Sequence, residues 1–406
     1  MQKDIAITGI GAVTAAGIGA PVLWQAARDG RSGIAQHSFD WEAGNLIKQI
    51  ARVPDFKAEE RFSRTELAVY DPFTAFAVVA AQEAIDQSGL DPALLAGPRT
   101  GCIIGTGLGG ATTMDFNLHK LYALKEKRVD VFSVPRVMPN AAASHIGMRH
   151  QILGPSFALS SACSSSAQAI GLGLQMIRSG LIDKAIVGGS EAMLSAGIMK
   201  AWEAMRVLTP DFIRPFSQGR NGMVLGEGAA ILVLERSADV KARGGQPLAY
   251  LMGYGTSSDA KDLLRPDPEG AAAAMRLALE SAHLTPDAIA YINAHGTATA
   301  LNDSNEVKAA RLVFGSHADH VPMSSTKPIH GHVLGAGGAI EAVITLSAAQ
   351  EGFIPPTLNF LEADPDCDMD CVPNQGRPAD LPYVMSNSLA FGGINASLIF
   401  GRPDQA

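Results

Sequence analysis

A cysteine lies in a run of small residues, SSACSS at 160 to 165, where a predicted strand meets a predicted helix. The strand covers Ser156 to Leu159, and apolar residues at helical spacing then continue until Gly180 ends the pattern. Helix N-termini carry unpaired N–H groups and a partial positive charge, which favour a thiolate over a thiol. Cys163 is therefore a candidate nucleophile, and the alternative is a buried cysteine that packs as a small hydrophobe.

Three more motifs follow predicted strands in the second half of the chain. They are NAHGTAT with His295, STKPIHGHVLGAGG with Lys327 and His332, and SNSLAFGG with Phe391. Ligands gather at the carboxyl ends of strands in α/β sheets, so we expect these turns to converge with the Cys163 turn. One histidine beside a cysteine would indicate a protease-like pair. Two imidazoles can instead donate hydrogen bonds to an enolate formed by decarboxylation, although either one alone could be structural.

Strands that end in glycine-rich turns alternate with helices along both halves of the chain. This alternation predicts an α/β fold with parallel-type sheets covered by helices. The two halves, 1–248 and 249–406, are predicted to be related and closely packed, because no low-complexity linker separates them. Residues 114–150 are interpreted as a helical insertion with a turn at Ser133 to Pro139. The string GTGLGG at 105 to 110 is not a dinucleotide fingerprint, since its third glycine is misplaced.

The composition limits the class of protein. The net charge is −8 over 406 residues, and the absence of a basic tract argues against nucleic-acid binding. No apolar run is long enough to span a membrane and no leader is recognisable, so we expect a cytoplasmic protein. Four cysteines are too few for a disulfide scaffold. Cys367 and Cys371, in CDMDC, are interpreted as part of a surface loop rather than a metal pair.

The motifs as a set resemble those of the β-ketoacyl-acyl carrier protein synthases of the elongating type, which are thiolase-like condensing enzymes. The residues that carry the resemblance are Ser161-Ala162-Cys163-Ser164, Asn293-Ala294-His295-Gly296-Thr297, Lys327 with Gly331-His332, and Asn387-Ser388 with Phe391-Gly392-Gly393. It extends over essentially the whole chain, and KAWEAM and NDSNE look closer to nodulation-type and other specialised branches. The resemblance implies a thiolase-like fold, with two related halves layered α-β-α-β-α.

The resemblance also implies a two-step Claisen condensation. Cys163 would accept an acyl chain as a thioester, activated directly by the helix end. His295 and His332 would then stabilise the enolate formed when malonyl-carrier protein loses carbon dioxide. The backbone N–H groups of Cys163 and Phe391 would form the oxyanion hole. Lys327 would order His295.

Several supporting positions follow from the same resemblance. Lys327 is expected to pair with Glu306, with Asp303 in support. Phe391 would also act as a gate, and Leu389 stands where the family usually carries a second phenylalanine. The residues expected at the acyl pocket, each of which could equally be core, are Leu108, Met138 and Trp202. The residues expected at a structural monovalent cation, or else serving as buried hydrogen-bonding groups, are Asn293, Glu341, Ser386 and Asn387.

The implied partner is an acidic acyl carrier protein, loaded with an acyl or a malonyl group. Arg64 and Arg206 match docking positions. Neighbouring positions that the resemblance would make basic carry the uncharged residues Thr65, Ala68 and Val69, so fewer positive charges are available for docking. No cofactor is required, because phosphopantetheine arrives on the carrier protein. A homodimer is expected, with the strand AIVGGSEA near the partner, and a heterodimer with a related subunit is the alternative.

Two other functions compete with the condensing enzyme. A non-catalytic, chain-length-determining subunit of a polyketide-type pair shares the fold but lacks the nucleophilic cysteine. A degradative thiolase would carry a second cysteine where Phe391-Gly392-Gly393 stands. The presence of Cys163 with both histidines favours the active synthase.

Overall fold

A computed structural model describes residues 5–39 and 44–405 of the chain. Its strands are β1 (Ile5–Thr14), β2 (Gly17–Ile18), β3 (Ala35–Gln36), β4 (Gln49–Ile50), β5 (Thr100–Gly105), β6 (Ser156–Leu159), β7 (Lys184–Glu191), β8 (Gly228–Arg236), β9 (Ala249–Ser258), β10 (Tyr291–Asn293), β11 (Met323–Ser324), β12 (Phe353–Ile354), β13 (Arg377–Pro378), β14 (Tyr383–Ala390) and β15 (Ile394–Gly401). Its α-helices are α1 (Ala20–Asp29), α2 (Ala58–Arg61), α3 (Arg64–Val69), α4 (Pro72–Ser88), α5 (Pro92–Leu95), α6 (Ala111–Tyr122), α7 (Ser133–Val137), α8 (Ala141–His150), α9 (Ser165–Arg178), α10 (Ala196–Ala204), α11 (Ser237–Ala242), α12 (Pro268–Ala282), α13 (Asn302–Phe314), α14 (Lys327–His330) and α15 (Gly337–Glu351). Short 3₁₀ turns cover Pro286–Ala288, Gly315–Asp319, Leu334–Ala336 and Pro403–Gln405.

One mixed sheet runs through the molecule in the strand order β11-β10-β14-β15-β9-β1-β8-β7-β5-β6. The same pairing pattern occurs twice. In the first copy β6, β5 and β7 are parallel, and β8 and then β1 are added antiparallel. In the second copy β11, β10 and β14 are parallel, and β15 and then β9 are added antiparallel. The copies meet where Ile5–Ile7 of β1 pairs with Ala249–Leu251 of β9.

The prediction of parallel-type sheets is therefore only partly right. The three-residue turn 391–393 joins β14 to β15, and a connection that short forces antiparallel pairing. The predicted layers are confirmed. Helices α9 and α15 lie in the apolar core between the two copies of the sheet. Helix α4 covers the outer face of the first copy, and α12 and α13 cover that of the second.

Helix α15 is buried on every side from Gly337 to Ala349 because it carries small and apolar residues all round. Helix α4 instead lies against β1, and glycines allow the close approach. A Cβ at Gly9 would lie 1.8 Å from the carbonyl oxygen of Ala84. Glu83 on the same helix accepts hydrogen bonds from the backbone N–H groups of Ala12 (2.9 Å) and Ala20 (2.8 Å), which fixes the opening glycine-rich turn.

Two local predictions are wrong. The segment predicted as a turn at Ser133 to Pro139 contains helix α7, which begins at Ser133 itself. Cys367 and Cys371 are not on the surface, because their loop folds over the outer helices and both thiols enter the apolar cluster there. The segment AIVGGSEA contains most of β7, which lies in the sheet between β5 and β8, and its place near a partner subunit stays a prediction.

Within 5–39 and 44–405, no helix combines the length and apolarity that crossing a membrane requires.

Candidate active site

The Cys163 turn is held by its serines. Strand β6 ends at Leu159 and helix α9 begins at Ser165, so the cysteine lies just before the helix. The hydroxyl of Ser165 accepts a hydrogen bond from the backbone N–H of Ser161 (2.9 Å) and donates one to the carbonyl of Ala162 (2.6 Å). Ala162 adopts φ +51°, in the left-handed region. These contacts place the thiol at the end of the strand, as predicted.

His332 reaches the sulfur directly. Its Nε2 lies 3.1 Å from Sγ of Cys163. The His332 backbone is fixed by hydrogen bonds to the strand-like segment 224–226, from its own N–H to the carbonyl of Val224 (2.7 Å) and from the N–H of Gly226 to its carbonyl (3.0 Å). Phe391 lines the same cavity as Cys163, and its backbone N–H lowers the pKa of the Cys163 thiol.

His295 completes the group. The Glu306 carboxylate accepts hydrogen bonds from the backbone N–H groups of His295 (2.8 Å) and Gly296 (2.9 Å), which fixes the turn after β10. The rings of His295 and His332 lie 5.3 Å apart, edge to face at 83°. One nitrogen of each ring and the Cys163 sulfur all lie within 4.8 Å of one another. The structure therefore brings together the three residues that the sequence predicted to converge.

Lys327 contacts His295 as predicted, but its ion pair differs from the prediction. Its Nζ lies 3.3 Å from His295 Nδ1. The carboxylate that pairs with it is Glu341 on α15, not Glu306, and both side chains are buried (0% and 1% exposed). The Glu306 carboxylate instead accepts hydrogen bonds from backbone N–H groups. The central position of α15 explains the difference, because it aims Glu341 at the lysine.

Asp303 supports the neighbouring loop rather than Lys327. Its carboxylate accepts hydrogen bonds from the backbone N–H groups of Phe216 (2.8 Å) and Ala298 (3.1 Å). It also forms an ion pair with Arg220 at 3.8 Å. The result is a rigid loop directly after the His295 turn.

Burial sets the protonation states at the site. Burial and the Lys327 ammonium lower the pKa of both His295 and His332 well below the usual value, so both imidazoles are neutral at pH 7. Burial raises the pKa of the Cys163 thiol to about 12, although Lys327 and the Phe391 amide oppose this. Burial therefore favours the thiol form of the resting cysteine, and activation by the helix end stays a prediction.

A cavity of about 430 Å³ connects these groups to the surface. Cys163, His295, His332 and Phe391 line its inner end. The lining residues nearer the mouth include Met205, Arg206, Leu263, Leu264, Arg265, Thr297, Thr299 and Leu301. Leu263, Leu264 and Leu301 are exposed, which gives the entrance an apolar rim.

The predicted pocket residues divide into two groups. Trp202 stacks on Phe391 with ring centroids 6.2 Å apart. Leu108 and Met138 are about half exposed (43% and 49%), and neither is among the described residues that line the cavity. Leu389, which replaces a phenylalanine, is buried and lines it. None of the three predicted residues is among the described cavity-lining residues, and Trp202 differs from Leu108 and Met138 in that it contacts Phe391, which does line the cavity.

The two predicted docking arginines differ in their position relative to the cavity. Arg206 lines the cavity and is exposed. Arg64 is exposed at the start of α3 and is not among the lining residues described. Sequence reasoning missed the threonines Thr297 and Thr299, whose hydroxyls lie 3.0 Å apart in the cavity wall. The motif NAHGTAT contained that signal, since both lie beside His295.

Two of the four predicted cation ligands have an unpaired oxygen. Asn293 Oδ1 and Glu341 Oε2 are buried and have no hydrogen-bond partner among the residues that the structure describes. Asn387 Oδ1 instead accepts a hydrogen bond from Ser397 (2.8 Å). Ser386 on β14 pairs with Asn293 on the neighbouring strand β10. Oxygen donors of this kind fit a monovalent cation.

Comparison with known proteins agrees with the geometry. Residues 2–240 match the family model for the β-ketoacyl synthase N-terminal domain, and residues 248–361 match that for the C-terminal domain. Nodulation protein E of Rhizobium sp. strain N33 is 41% identical over 98% of this chain and 99% of its own. 3-Oxoacyl-[acyl-carrier-protein] synthase 2 of Staphylococcus aureus strain COL is 37% identical over 99% of both chains. The solved ishigamide ketosynthase/chain length factor is 33% identical, with a TM-score of 0.95 over 99% of this chain and 100% of that one. With its cysteine and two histidines in a thiolase-like fold, this chain belongs to the β-ketoacyl synthase family.

Proposed function

We propose that this chain is a 3-oxoacyl-[acyl-carrier-protein] synthase, an acyltransferase that lengthens a carrier-bound acyl chain by decarboxylative condensation. The observation that carries the proposal is the meeting of one thiol and two neutral imidazoles at the inner end of a single cavity. A cysteine with a single histidine would be sufficient for acyl transfer. The second imidazole supplies the donor that an enolate needs.

The first step is transfer of the acyl chain to Cys163. The sulfur attacks the thioester carbonyl, a new S–C bond forms, and the bond to the carrier thiol breaks. The thiol proton ends on the departing carrier thiolate, while the Nε2–H of His332, 3.1 Å from the sulfur, donates a hydrogen bond that stabilises the sulfur as it attacks. The Phe391 N–H stabilises the sulfur in its anionic form.

The second step uses both histidines. Malonyl-carrier protein loses carbon dioxide, and the electron pair of the broken C–C bond becomes an enolate. Hydrogen bonds from His295 and His332 hold the enolate oxygen, and the enolate carbon attacks the acyl thioester. The Cys163 thiolate leaves and takes up a proton from water. Neutral imidazoles suit this task because they donate without transferring a full charge.

The partner is an acyl carrier protein, in keeping with the name of the Staphylococcus relative. Arg206 and the apolar rim would contact it at the cavity mouth, with Arg64 on its flank. Phosphopantetheine would enter with the carrier protein, so the chain itself requires no cofactor. Thr297 and Thr299 offer hydroxyls to the amides of the entering arm.

Assembly, ion binding and location extend the proposal. A homodimer through the face that includes the exposed edge strand β6 is our proposal, and the likeness to the ishigamide ketosynthase/chain length factor supports a heterodimer as the alternative. Asn293 and Glu341 would hold a monovalent cation, with Ser386 and Asn387 beside them. The few cysteines support a cytoplasmic location.

The test is mass spectrometry of Cys163 after incubation with a series of acyl-carrier proteins, with Cys163→Ala as the control. We expect an acyl adduct on Cys163 and, on addition of malonyl-carrier protein, its conversion to a 3-oxoacyl product. Absence of an adduct with every chain length would overturn the proposal. It would also favour the non-catalytic, chain-length-determining subunit, which the presence of Cys163 and both histidines disfavours.

A further inference from the structure

Glu191, the last residue of β7, is a buried carboxylate that the reaction scheme does not use. Its side chain is fully buried (0% exposed), and no ion pair to it occurs among the described residues. Backbone N–H groups bond to it instead, from Gly107 (2.6 Å), Leu108 (3.1 Å) and Gly335 (3.1 Å). The hydroxyl of Thr106 adds a fourth bond at 3.1 Å. An isolated buried carboxylate is costly, so its hydrogen bonds must hold it in place.

These four donors come from two different turns. Thr106, Gly107 and Leu108 belong to the GTGLGG turn after β5, and Gly335 belongs to the turn that follows His332. The two turns meet backbone to backbone. A Cβ at Gly335 would lie 2.3 Å from the nitrogen of Gly107, and a Cβ at Gly107 would lie 3.0 Å from Glu191 Oε2. The glycines that resemble a nucleotide-binding motif therefore make room for this carboxylate and for the facing turn.

The clamped turn is close to the reacting atoms. Gly335 follows His332 by three residues, and Leu334 between them lies in the same apolar cluster as Cys163. The Glu191 charge also opposes ionisation of the Cys163 thiol, which helps to keep its pKa high. The turn that carries Cys163 is held by separate hydrogen bonds, from the Ser161 N–H to the Ser165 hydroxyl and from that hydroxyl to the Ala162 carbonyl.

We propose that Glu191 is a positioning residue: by joining the turn at 106–108 to the turn after His332, it keeps the His332 imidazole at its working distance from Cys163. The inference rests on the proposed function, because His332 has a role only if the chain is a condensing enzyme. Loss of the clamp would let the His332 turn move, and displacement of a catalytic group by about 1 Å can cost up to about 100-fold in rate.

The test compares Glu191→Gln with Glu83→Gln, a control that also removes a carboxylate bound to backbone amides but far from the site. The rate of malonyl-carrier protein decarboxylation is expected to fall about tenfold or more in Glu191→Gln and to stay near wild type in Glu83→Gln. In a His332→Ala background, Glu191→Gln should cause no further loss, because its effect passes through that imidazole. In a His295→Ala background the loss should persist.

A second measurement does not depend on activity. Hydrogen exchange at peptides covering 106–110 and 333–338 should become faster in Glu191→Gln, in both turns together, and stay unchanged in Glu83→Gln. Thr106→Val, which removes one of the four bonds, should give a smaller change in the same direction if Glu191→Gln fails to fold.

Three outcomes would overturn the inference: a Glu191→Gln rate equal to wild type, an equal loss with and without the His332 side chain, or unchanged exchange in either turn. A wild-type protein without decarboxylation would refute the proposed function, and the exchange experiment would still test the clamp.

Discussion

Replacement of Lys327 by methionine tests the buried ion pair at the centre of the site. Lys327 and Glu341 are both inaccessible to water, and one Glu341 oxygen already has no partner among the described residues. Burial raises the pKa of Glu341 to about 7 even with the Lys327 ammonium beside it, and without the ammonium burial raises that pKa further. In the unfolded chain the same group ionises near its ordinary pKa of 4.5.

The size of the effect follows from that difference. At pH 7 the unfolded carboxyl group lies about 2.5 pH units above its pKa, and each unit is worth about 1.4 kcal/mol. In the wild type the folded-state pKa is already about 7, so most of this penalty of about 3 kcal/mol is present before the mutation. Lys327→Met raises the folded-state pKa further, and the extra loss in the free energy of unfolding grows by up to about 1.4 kcal/mol for each pH unit above 7. The loss should accordingly be less than about 1 kcal/mol at pH 5 and pH 7 and reach about 2 kcal/mol at pH 9, approaching the ~3–5 kcal/mol typical of breaking a buried pair.

The assay is urea unfolding at pH 9 and pH 5, with Lys308→Met on the exposed side of α13 as the matched control. The double variant Lys327→Met with Glu341→Gln should recover most of the lost stability, whereas Lys327→Met with Glu306→Gln should not. Equal stability of Lys327→Met and Lys308→Met at pH 9, or equal rescue by both double variants, would refute the reasoning.

Three further predictions concern access to the site. Because the pKa of Cys163 is raised to about 12, its alkylation by iodoacetamide should accelerate from pH 7 to pH 10 without levelling off. Peptide mass spectrometry measures this rate, and a plateau below pH 9 would contradict the prediction because the thiolate would already be formed. Trp202→Ala removes the ring stacked on Phe391, a contact worth ~0.5–1.5 kcal/mol, so Cys163 alkylation should become roughly two- to tenfold faster, and an equal rise in Trp202→Phe would contradict this. Arg206→Glu, and to a smaller extent Arg64→Glu, should raise KM for carrier-linked thioesters but not for small thioesters, and steady-state kinetics that show equal losses on both would rule out docking as the cause.

The convergence of the reactive residues could be predicted from the sequence. Cys163 and His295 each follow a buried strand, and the His332 turn comes shortly after another. Turns at the carboxyl ends of strands meet when the strands share a sheet, whatever the details of packing. Residue type, spacing and position relative to the strand ends were therefore sufficient to predict that these residues meet.

The partners of the buried charges could not be predicted in the same way. Glu306 and Glu341 both lie on helices near Lys327 in sequence terms, and the choice between them depends on how α13 and α15 are rotated against the sheet. Three other predictions depended on burial: the ionisation of Cys163, the exposure of Leu108 and the location of CDMDC. Burial results from contacts between distant segments, which local patterns do not encode.

The short seam between β1 and β9 has a consequence for how the enzyme can be inactivated. The nucleophile lies in one copy of the repeated sheet pattern, and both imidazoles lie in the other. Neither copy contains a complete set of reacting groups, so the chemistry exists only across the boundary between them. A change that shifts one copy against the other by a fraction of an ångström would leave both copies folded but would make the enzyme inactive. Turnover is thus a more sensitive gauge of how the two copies fit than any measure of folding.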